Sequence, residues 1–228
     1  MRVLYVIPAR KGSKGLPGKN IKLLNNKPLI SYSIDFALQN MDLDAEICIT
    51  TNDDDVIAIA KQRGIEIPFK RPEHLASDIA NTYDVLLHAL NYYKGNGKEF
   101  EAVMLLQPTS PFRNSSDHKA VIDTFDLECD MVVTVKESKE NPYFTIFEEN
   151  EFGYLEKSKR GEFQRRQDCP QVYTYNGSIY LIRVSSLEVA PLSTFKKVKK
   201  VLMPENRSID IDTMADWVLA EYFSNAYN

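Results

Sequence analysis

Cysteine and histidine are scarce in this sequence, with three of each among 228 residues. The histidines are dispersed and suggest no metal cluster or catalytic triad. The cysteines are odd in number, far apart and without CxxC spacing, so they indicate neither a disulfide framework nor a zinc cluster. Cys48 lies within an apolar run and is predicted to be packed core rather than a reactive thiol.

Long apolar runs and a basic excess are also missing. No run approaches the roughly 20 residues of a membrane span, and the apolar N-terminal stretch reaches Pro8, Arg10 and Lys11 too soon for a signal peptide. The net charge of −4 comes from 28 basic and 32 acidic residues spread along the chain, unlike a protein that binds a phosphate backbone. We therefore expect a cytoplasmic protein with neither a membrane nor a nucleic acid as partner.

The apolar content is high enough for a substantial core. Apolar side chains make up 43% of the chain, which suits one domain of this length. We predict a single domain over residues 1–228, without internal repeats or low-complexity linkers.

Residues 1–135 alternate short apolar runs with helical patterns. Helices are predicted at Leu29–Leu38, Asp54–Arg63, Thr82–Tyr93 and Ser116–Phe125, and strands at Val3–Ile7, Glu46–Thr50, Ile65–Phe69, Ala102–Leu106 and Met131–Val135. Unbroken Val/Ile/Leu runs are typical of strands buried on both faces, and right-handed crossovers join such strands into a parallel sheet. The predicted fold is α/β, a three-layer sandwich around a mainly parallel, Rossmann-like sheet.

Residues 136–171 break this alternation. Two short strands are predicted there, Tyr143–Glu148 and Gly153–Glu156, before a polar and basic stretch, and we interpret the segment as an insertion. Strands at Ser178–Arg183 and Lys199–Met203 follow it, and a helix at Met214–Phe223 closes the chain. Either Asp212 or Thr213 is placed to cap that helix.

A loop rich in glycine and lysine follows the first predicted strand. It reads PARKGSKGLPGKN from Pro8 to Asn20. Glycine lets the backbone approach an anion, Arg and Lys supply charge, and ligands bind at the carboxyl ends of strands in open α/β sheets. The loop is therefore a candidate polyphosphate site, although its spacing fails both the Walker A and the GxGxxG patterns. A solvated lysine-rich turn is the alternative interpretation.

Three further segments carry polar side chains at predicted strand ends. RPEHLASD begins at Arg71, LLQPTSPFR at Leu105 and SIDIDT at Ser208. In the last segment Asp210 and Asp212 share one face if the chain is extended, and two carboxylates together with substrate phosphates suit Mg²⁺. Each segment taken alone also fits a turn, a helix entry or a capping pair.

Taken in this order, the segments resemble the motifs of the acylneuraminate cytidylyltransferases, the CMP-N-acetylneuraminic acid synthetase family. The loop matches the pattern ARxxSKGxPxKN, and the other segments match RPxxLASD, LLQPTSPxR and the SIDIDT motif. A stretch that begins at Arg166 matches RQxxPxxxxxNGxIY. The resemblance covers nearly the whole chain and implies a nucleotidyltransferase sheet.

The family implies roles for residues of each motif. Implied nucleotide contacts are Ala9, Arg10, Lys14, Gly15, Lys19, Asn20, Arg71, Asp78, Ala80 and Thr82. Implied sugar contacts are Gln107, Thr109, Ser110, Arg166, Gln167 and Asn176. The implied metal ligands are Asp210 and Asp212, and the implied catalytic residues are Arg10, Lys19, Arg165, Arg166 and Asp212.

The implied reaction is the transfer of CMP from CTP to the anomeric hydroxyl of a nonulosonic acid, with Mg²⁺ as cofactor and pyrophosphate as leaving group. Arg10 and Lys19 would offset the charge of the pyrophosphate, and either Asp212 or a metal-bound hydroxide would take the proton. The family also implies a homodimer, with the insertion 136–171 as its contact and as a substrate lid. Two alternatives are a cytidylyltransferase for the eight-carbon sugar acid of lipopolysaccharide, KDO, and a noncatalytic nucleotide-binding protein on the same fold.

One position departs from the family pattern. Some sialic acid enzymes carry an arginine two residues before the NG pair, where this chain has Thr174. This departure leaves open the contact to the sugar carboxylate and the identity of the sugar. The NPYF segment at Asn141 and the KSKRG segment at Lys157 resemble relatives that handle modified bacterial nonulosonates such as legionaminic acid.

Overall fold

A computed structural model describes residues 1–12 and 15–226 of the chain. Its strands are β1 (Val3–Pro8), β2 (Leu23–Leu24), β3 (Lys27–Pro28), β4 (Glu46–Thr50), β5 (Ala102–Leu106), β6 (Met131–Glu137), β7 (Phe147–Glu149), β8 (Leu155–Lys157), β9 (Tyr173–Arg183) and β10 (Val198–Leu202). Its α-helices are α1 (Leu29–Asn40), α2 (Asp54–Gln62), α3 (Glu73–Ala76), α4 (Thr82–Gly95), α5 (Ser115–Thr124), α6 (Val184–Leu187) and α7 (Met214–Ala226).

The central sheet is mixed but mainly parallel, as predicted. Within the described residues its order is β10-β6-β9-β5-β1-β4. Strand β1 pairs in parallel with both β4 and β5, and β10 pairs in parallel with β6. Strand β9 runs antiparallel to its neighbours β5 and β6. The carboxyl ends of β1 and β5 therefore meet at one edge of the sheet, where ligands bind in open α/β folds.

Helices cover both faces of the sheet. One core contains side chains from α1, α2 and α5, and the other contains side chains from α4 and α6. Alternate residues of β1 enter opposite cores, as the two-residue period of a strand requires: Tyr5 and Ile7 enter the first, and Leu4 and Val6 the second. The predicted three-layer sandwich is confirmed, and Cys48 is buried in the second core. In both described ranges, every helix is too short or too polar to span a bilayer.

Helix α7 packs on a smaller core beside the sandwich. Its Trp217 is buried together with Leu16 from the loop after β1 and with Ile209 and Ile211 from the segment before the helix. Thr213 caps α7, because its hydroxyl accepts from the Asp216 amide and the Asp216 carboxylate accepts from the Thr213 amide at 2.8 Å. This packing holds the C-terminal acidic segment against the loop after β1, so residues about 190 positions apart meet (Lys19 and Asp212 are separated by 193).

Several predicted strands differ from the structure, and the one predicted at Ser178–Arg183 begins earlier, at Tyr173. Ile65–Phe69 forms no strand, and only a single bridge between Thr51 and Lys70 joins this stretch to the chain after β4. Pro68 lacks the amide donor that a sheet ladder needs, so the prediction was wrong there. The first strand of the insertion starts at Phe147 rather than Tyr143, because residues 143–146 form a turn whose amides bond to Asn141.

Candidate active site

The loop after β1 turns back on itself at the strand end. Asn20 closes the loop, since its amide Nδ2 donates to the Arg10 carbonyl at 3.2 Å. Lys11 is tied to the neighbouring strand end by a bond from its amide to Asn52 Oδ1 at 2.8 Å. The predicted contact Lys14 lies outside the described residues, as does Ser13. The loop therefore presents Arg10 and Lys19 from a braced backbone.

Lys19 joins the loop to the acidic segment. Its Nζ donates to the Ile211 carbonyl at 2.6 Å and to Asp212 Oδ1 at 2.9 Å. The Lys19 side chain is buried, whereas the Asp212 side chain is 72% exposed and faces the cleft. The cationic loop and Asp212 of the predicted acid pair thus lie at one site.

Asp210 occupies a more buried position than Asp212. Burial raises the pKa of the Asp210 carboxyl, the nearby Asp212 charge raises it further, and a hydrogen bond from the Thr109 hydroxyl opposes both. The Asp210 Oδ1 atom is buried and has no hydrogen-bond partner among the described residues. The Ile211 amide also donates to the Thr109 carbonyl at 2.8 Å, so the loop after β5 braces the acidic segment.

A cavity of about 300 Å³ lies between the loop, the segment 71–82 and the end of β5. Most of the predicted nucleotide contacts line it, together with two of the predicted sugar contacts and one acid of the metal pair. These lining residues are Arg10, Lys19, Asn20, Arg71, Ala80, Thr82, Gln107, Thr109 and Asp212. The structure therefore brings the motif residues together as one cleft, while their individual roles stay predictions.

Three predicted nucleotide contacts lie beside the cavity. Asp78 forms an ion pair with Arg10, with a separation of 2.7 Å between Oδ1 and Nη2. Ala9 is buried, and its carbonyl accepts from the Thr51 hydroxyl. Gly15 packs against the backbone of Asp212. Asp78 thus neutralises part of the charge that Arg10 offers a phosphate.

Arg71 is a buried cation within the cavity wall. Its guanidinium donates to the Thr50 hydroxyl at 3.0 Å and to the Thr50 carbonyl. Burial lowers the pKa of Arg71 to about 10, so it remains charged at neutral pH. It fixes the end of β4 to the segment that follows.

Ser110 and Asn176 are predicted sugar contacts that the structure buries. Asn176 is 1% exposed, and its side-chain amide donates to Ser208 Oγ at 2.9 Å and accepts from the Thr134 hydroxyl at 2.8 Å. The Ser110 hydroxyl donates to the Asn176 carbonyl at 3.0 Å. Both side chains are buried behind the wall of the cleft and bond to the segments that form it, and neither lines the cavity.

Arg166 and Gln167 lie on a second cavity of about 700 Å³, lined also by Lys136, Lys139 and Asn141. Arg165 is exposed on the same turn and pairs with Asp168 through two bonds of 2.9 Å. The structure therefore does not bring the predicted catalytic pair Arg165 and Arg166 into the cleft of Lys19. A further cavity of about 400 Å³ lies beside Asp210 and shares Lys136 and Glu205 with the large cavity.

The acid pair meets the requirements of a Mg²⁺ site that is completed by phosphates. Within residues 1–12 and 15–226, no set of three or more His, Cys, Asp or Glu side chains converges as a protein-only metal cage. Mg²⁺ commonly takes one or two carboxylates and completes its shell with water and phosphate oxygens. The buried, unpartnered Oδ1 of Asp210 is an oxygen that a cation would satisfy.

Arg113 is a site residue to which sequence reasoning gave no role. It is buried, and it donates to Ser33 Oγ at 3.0 Å, to the Ser110 carbonyl at 2.5 Å and to the Gln107 carbonyl. Burial lowers the pKa of Arg113, while the charges of Asp210 and Asp117 raise it. The sequence signal that could have identified it is the arginine at the end of LLQPTSPFR. The two prolines of that segment restrict its backbone at a strand end, so the arginine is held in one place.

Replacing Arg113 by methionine is expected to destabilise the fold by about 3–5 kcal/mol, because it leaves the Gln107 and Ser110 carbonyls without their donor and removes a buried positive charge near Asp210 and Asp117. Urea unfolding followed by circular dichroism measures the change. Arg165→Met is the matched control, since it removes an arginine that is exposed and bonded to Asp168 at the surface. Equal midpoints for the two variants would contradict the role assigned to Arg113.

Together, a mainly parallel sheet, a cationic glycine loop after β1 and an acid pair facing that loop define a nucleotide-dependent transferase. The chain belongs to the cytidylyltransferase family, whose sequence profile matches residues 4–212. The family prediction made from the motifs is therefore confirmed, and with it the prediction of a nucleotidyltransferase enzyme.

Individual relatives span nearly the whole chain. It is 34% identical to the post-translational flagellin modification protein B of Campylobacter coli, over 99% of this chain and 96% of that protein. It is 33% identical to the CMP-N,N'-diacetyllegionaminic acid synthase of Legionella pneumophila, over 97% of this chain and 95% of that protein. A solved structure of a CMP:2-keto-3-deoxy-manno-octonic acid synthetase complexed with CTP covers 100% of both chains with a TM-score of 0.72 at 18% identity. At 18% identity, this last similarity shows a shared fold.

Proposed function

We propose that the protein transfers CMP from CTP to the anomeric hydroxyl of a nonulosonic acid and releases pyrophosphate. The predicted activity agrees with the family and with the legionaminic acid synthase among the relatives. The acceptor that the sequence and this relative favour is a legionaminic acid or a related nonulosonate, such as N-acetylneuraminic acid.

One observation carries the proposal: Lys19 Nζ lies 2.9 Å from Asp212 Oδ1 at the wall of the nucleotide-sized cavity. A triphosphate there would meet the cations Arg10 and Lys19 of the loop and the Asp212 carboxylate beside Lys19. Phosphoryl transfer depends mainly on such positioning and electrostatic stabilisation, and it needs no covalent intermediate on the protein.

In the proposed reaction the anomeric oxygen of the sugar acid attacks the α-phosphorus of CTP. The bond from that phosphorus to the bridging oxygen of the β-phosphate breaks, and the electron pair leaves with pyrophosphate. Lys19 and Arg10 offset the charge that develops on the leaving group. The proton of the attacking hydroxyl leaves to a base at the cleft, where Asp212 is the exposed carboxylate.

Mg²⁺ is the proposed cofactor, with Asp210 and Asp212 as its protein ligands. When bound, it would offset phosphate charge and lower the pKa of the attacking hydroxyl. Lys19 holds the Ile211 carbonyl between the two acids, and Thr109 bonds to Asp210, so the chain orients both carboxylates before any ligand arrives.

The acceptor is proposed to extend from Gln107 and Thr109 past Asp210 into the cavities on its far side. Those cavities carry Lys136, Arg166 and Gln167. Their lining mixes these cationic and amide groups with acids such as Glu205, and a sugar acid needs charged and polar partners for its carboxylate and hydroxyls.

The test is pyrophosphate release in the presence of CTP and Mg²⁺ with three acceptors: N-acetylneuraminic acid, N,N'-diacetyllegionaminic acid and KDO. We expect release with at least one of the nonulosonic acids and its loss on addition of EDTA. Release with KDO alone would replace the proposed substrate class. Binding of CTP by calorimetry without release for any acceptor would instead favour a noncatalytic nucleotide-binding protein.

We further infer that the protein is a homodimer whose contact lies on the β7–β8 hairpin of the insertion. Phe152, Tyr154 and Leu155 are 73%, 71% and 69% exposed and lie in or beside that hairpin. Exposed apolar side chains grouped in this way are typical of a protein contact. The strands of the hairpin are too short to be stable as an isolated pair, which supports a packing partner.

Light scattering after gel filtration is expected to give twice the chain mass of 26.1 kDa. Tyr154→Lys/Leu155→Lys is expected to raise the dimer dissociation constant at least about 30-fold, the effect of losing one apolar hot spot. Leu127→Lys changes an exposed leucine outside the insertion, 89% exposed against 69% for Leu155, and serves as control. A monomeric wild type, or equal behaviour of both variants, would refute this contact.

A further inference from the structure

Gly177 lies directly beside the Asp210 carboxylate. A Cβ atom on Gly177 would come within 2.7 Å of Asp210 Oδ2 and 3.0 Å of both Asp210 Cγ and Ser110 Oγ. The residue also has a φ of +71°, a conformation that glycine adopts readily. The carboxylate therefore occupies space that any other residue at position 177 would fill.

The backbone at Gly177 has little freedom to yield. The residue lies in a bulge of β9, where Tyr175 pairs with Val135 and Tyr180 pairs with Val133. The preceding Asn176 is buried and bonded to three separate segments, through the hydroxyls of Thr134, Ser208 and Ser110. An added side chain would consequently displace Asp210 rather than the strand.

Gly15 lies directly beside the backbone of the second acid, Asp212. A Cβ on Gly15 would overlap the backbone carbonyl oxygen of Asp212 and lie 3.3 Å from the carbonyl carbon. The carbonyl of Ile211, one residue earlier, is held by Lys19. A side chain at position 15 would therefore push the acidic segment away from the loop after β1.

We propose that Gly15 and Gly177 are positioning residues for the acid pair: the absence of a side chain at each leaves the space that the Asp212 backbone and the Asp210 carboxylate occupy. The inference rests on the proposed function, in which those carboxylates hold a divalent cation with the nucleotide. In this proposal the two glycines, which belong to distant motifs, place the carboxylates and do not themselves contact the ligand.

The test measures Mn²⁺ binding in the presence of CTP, from the loss of the free Mn²⁺ signal in electron paramagnetic resonance, beside CMP transfer and thermal unfolding. For Gly177→Ala and Gly15→Ala we expect Mn²⁺ affinity to fall about 10- to 100-fold, as when the groups that orient metal ligands are removed. Gly15→Ala keeps the inference testable if Gly177→Ala fails to fold, because position 15 does not carry a positive φ.

Two other glycines supply matched controls. Gly97 has a φ of +75° and Gly95 has no positive φ, and no described atom lies within 4 Å of a Cβ at either position. Gly97→Ala thus reproduces the backbone strain of Gly177→Ala without the clash, and Gly95→Ala is the counterpart of Gly15→Ala. Both controls are expected to bind Mn²⁺ as the wild type does.

Unchanged Mn²⁺ affinity in the two test variants, or equal losses in tests and controls, would overturn the inference. A wild type that binds Mn²⁺ with CTP and loses this binding in the test variants supports the inference. That result supports the inference even if no acceptor is converted, because the absence of conversion contradicts only the proposed function. A wild type that binds CTP but no Mn²⁺ would overturn the inference.

Discussion

Asp212→Ala is expected to abolish CMP transfer, with a loss of more than about 10³-fold in kcat. The variant removes the exposed acid of the pair and the carboxylate partner of Lys19. The fold is expected to persist, because Lys19 keeps its bond to the Ile211 carbonyl and Thr213, rather than Asp212, caps α7. Steady-state kinetics and circular dichroism measure the two effects.

A suitable control for this variant is Asp123→Ala. Asp123 is exposed and also bonded to a lysine, Lys119, at 2.6 Å, but it lies on α5 away from the cleft residues. The control is expected to keep wild-type kinetics. Full activity of Asp212→Ala would remove this acid from the metal site and from the reaction.

Lys19→Met is expected to lower kcat by about 10²- to 10³-fold, the usual effect of losing one preorganised group that stabilises transition-state charge. Methionine retains much of the buried stem but neither the charge nor the bonds to Ile211 and Asp212. Because the charge is needed most when pyrophosphate departs, we expect kcat to change more than the KM for CTP.

Lys22→Met separates this effect from a general loss of positive charge. Lys22 follows Lys19 closely but places its Nζ over the Trp217 ring, 4.8 Å from the ring centroid. That control is expected to retain activity. An effect of Lys19→Met on KM alone would mean that Lys19 binds CTP without assisting the departure of pyrophosphate.

The motifs after β1 and β5 lie at the ends of strands, which is why the sequence could predict that their side chains converge. Short unbroken apolar runs identified β1, β4, β5 and β6, and the carboxyl ends of neighbouring parallel strands converge in any such sheet. The glycine loop and the SIDIDT segment could then be assigned to one cleft. Residues 208–212 form no strand of the sheet, and the shared face predicted for Asp210 and Asp212 stays a prediction.

Tertiary packing decided what the sequence could not reveal. The burial of Asn176 follows from the bulge opposite Thr134, and a bulge leaves no periodic signal in the sequence. The separation of Arg166 from Lys19 depends on how the insertion is placed. The hairpin of β2 and β3 did carry a signal, because Asn25 and Asn26 adopt positive φ in a two-residue turn. The cytoplasmic location and the substrate lid stay predictions.

The most direct test of the central claim follows the anomeric oxygen of the sugar acid. The acceptor is labelled with ¹⁸O at that position and incubated with CTP and Mg²⁺, and the products are analysed by mass spectrometry. Attack by the sugar on the α-phosphorus predicts CMP–sugar that retains the label in its new P–O–C bond and pyrophosphate that is unlabelled. Formation of unlabelled CMP–sugar, or of no CMP–sugar with any nonulosonic acid, would contradict the account.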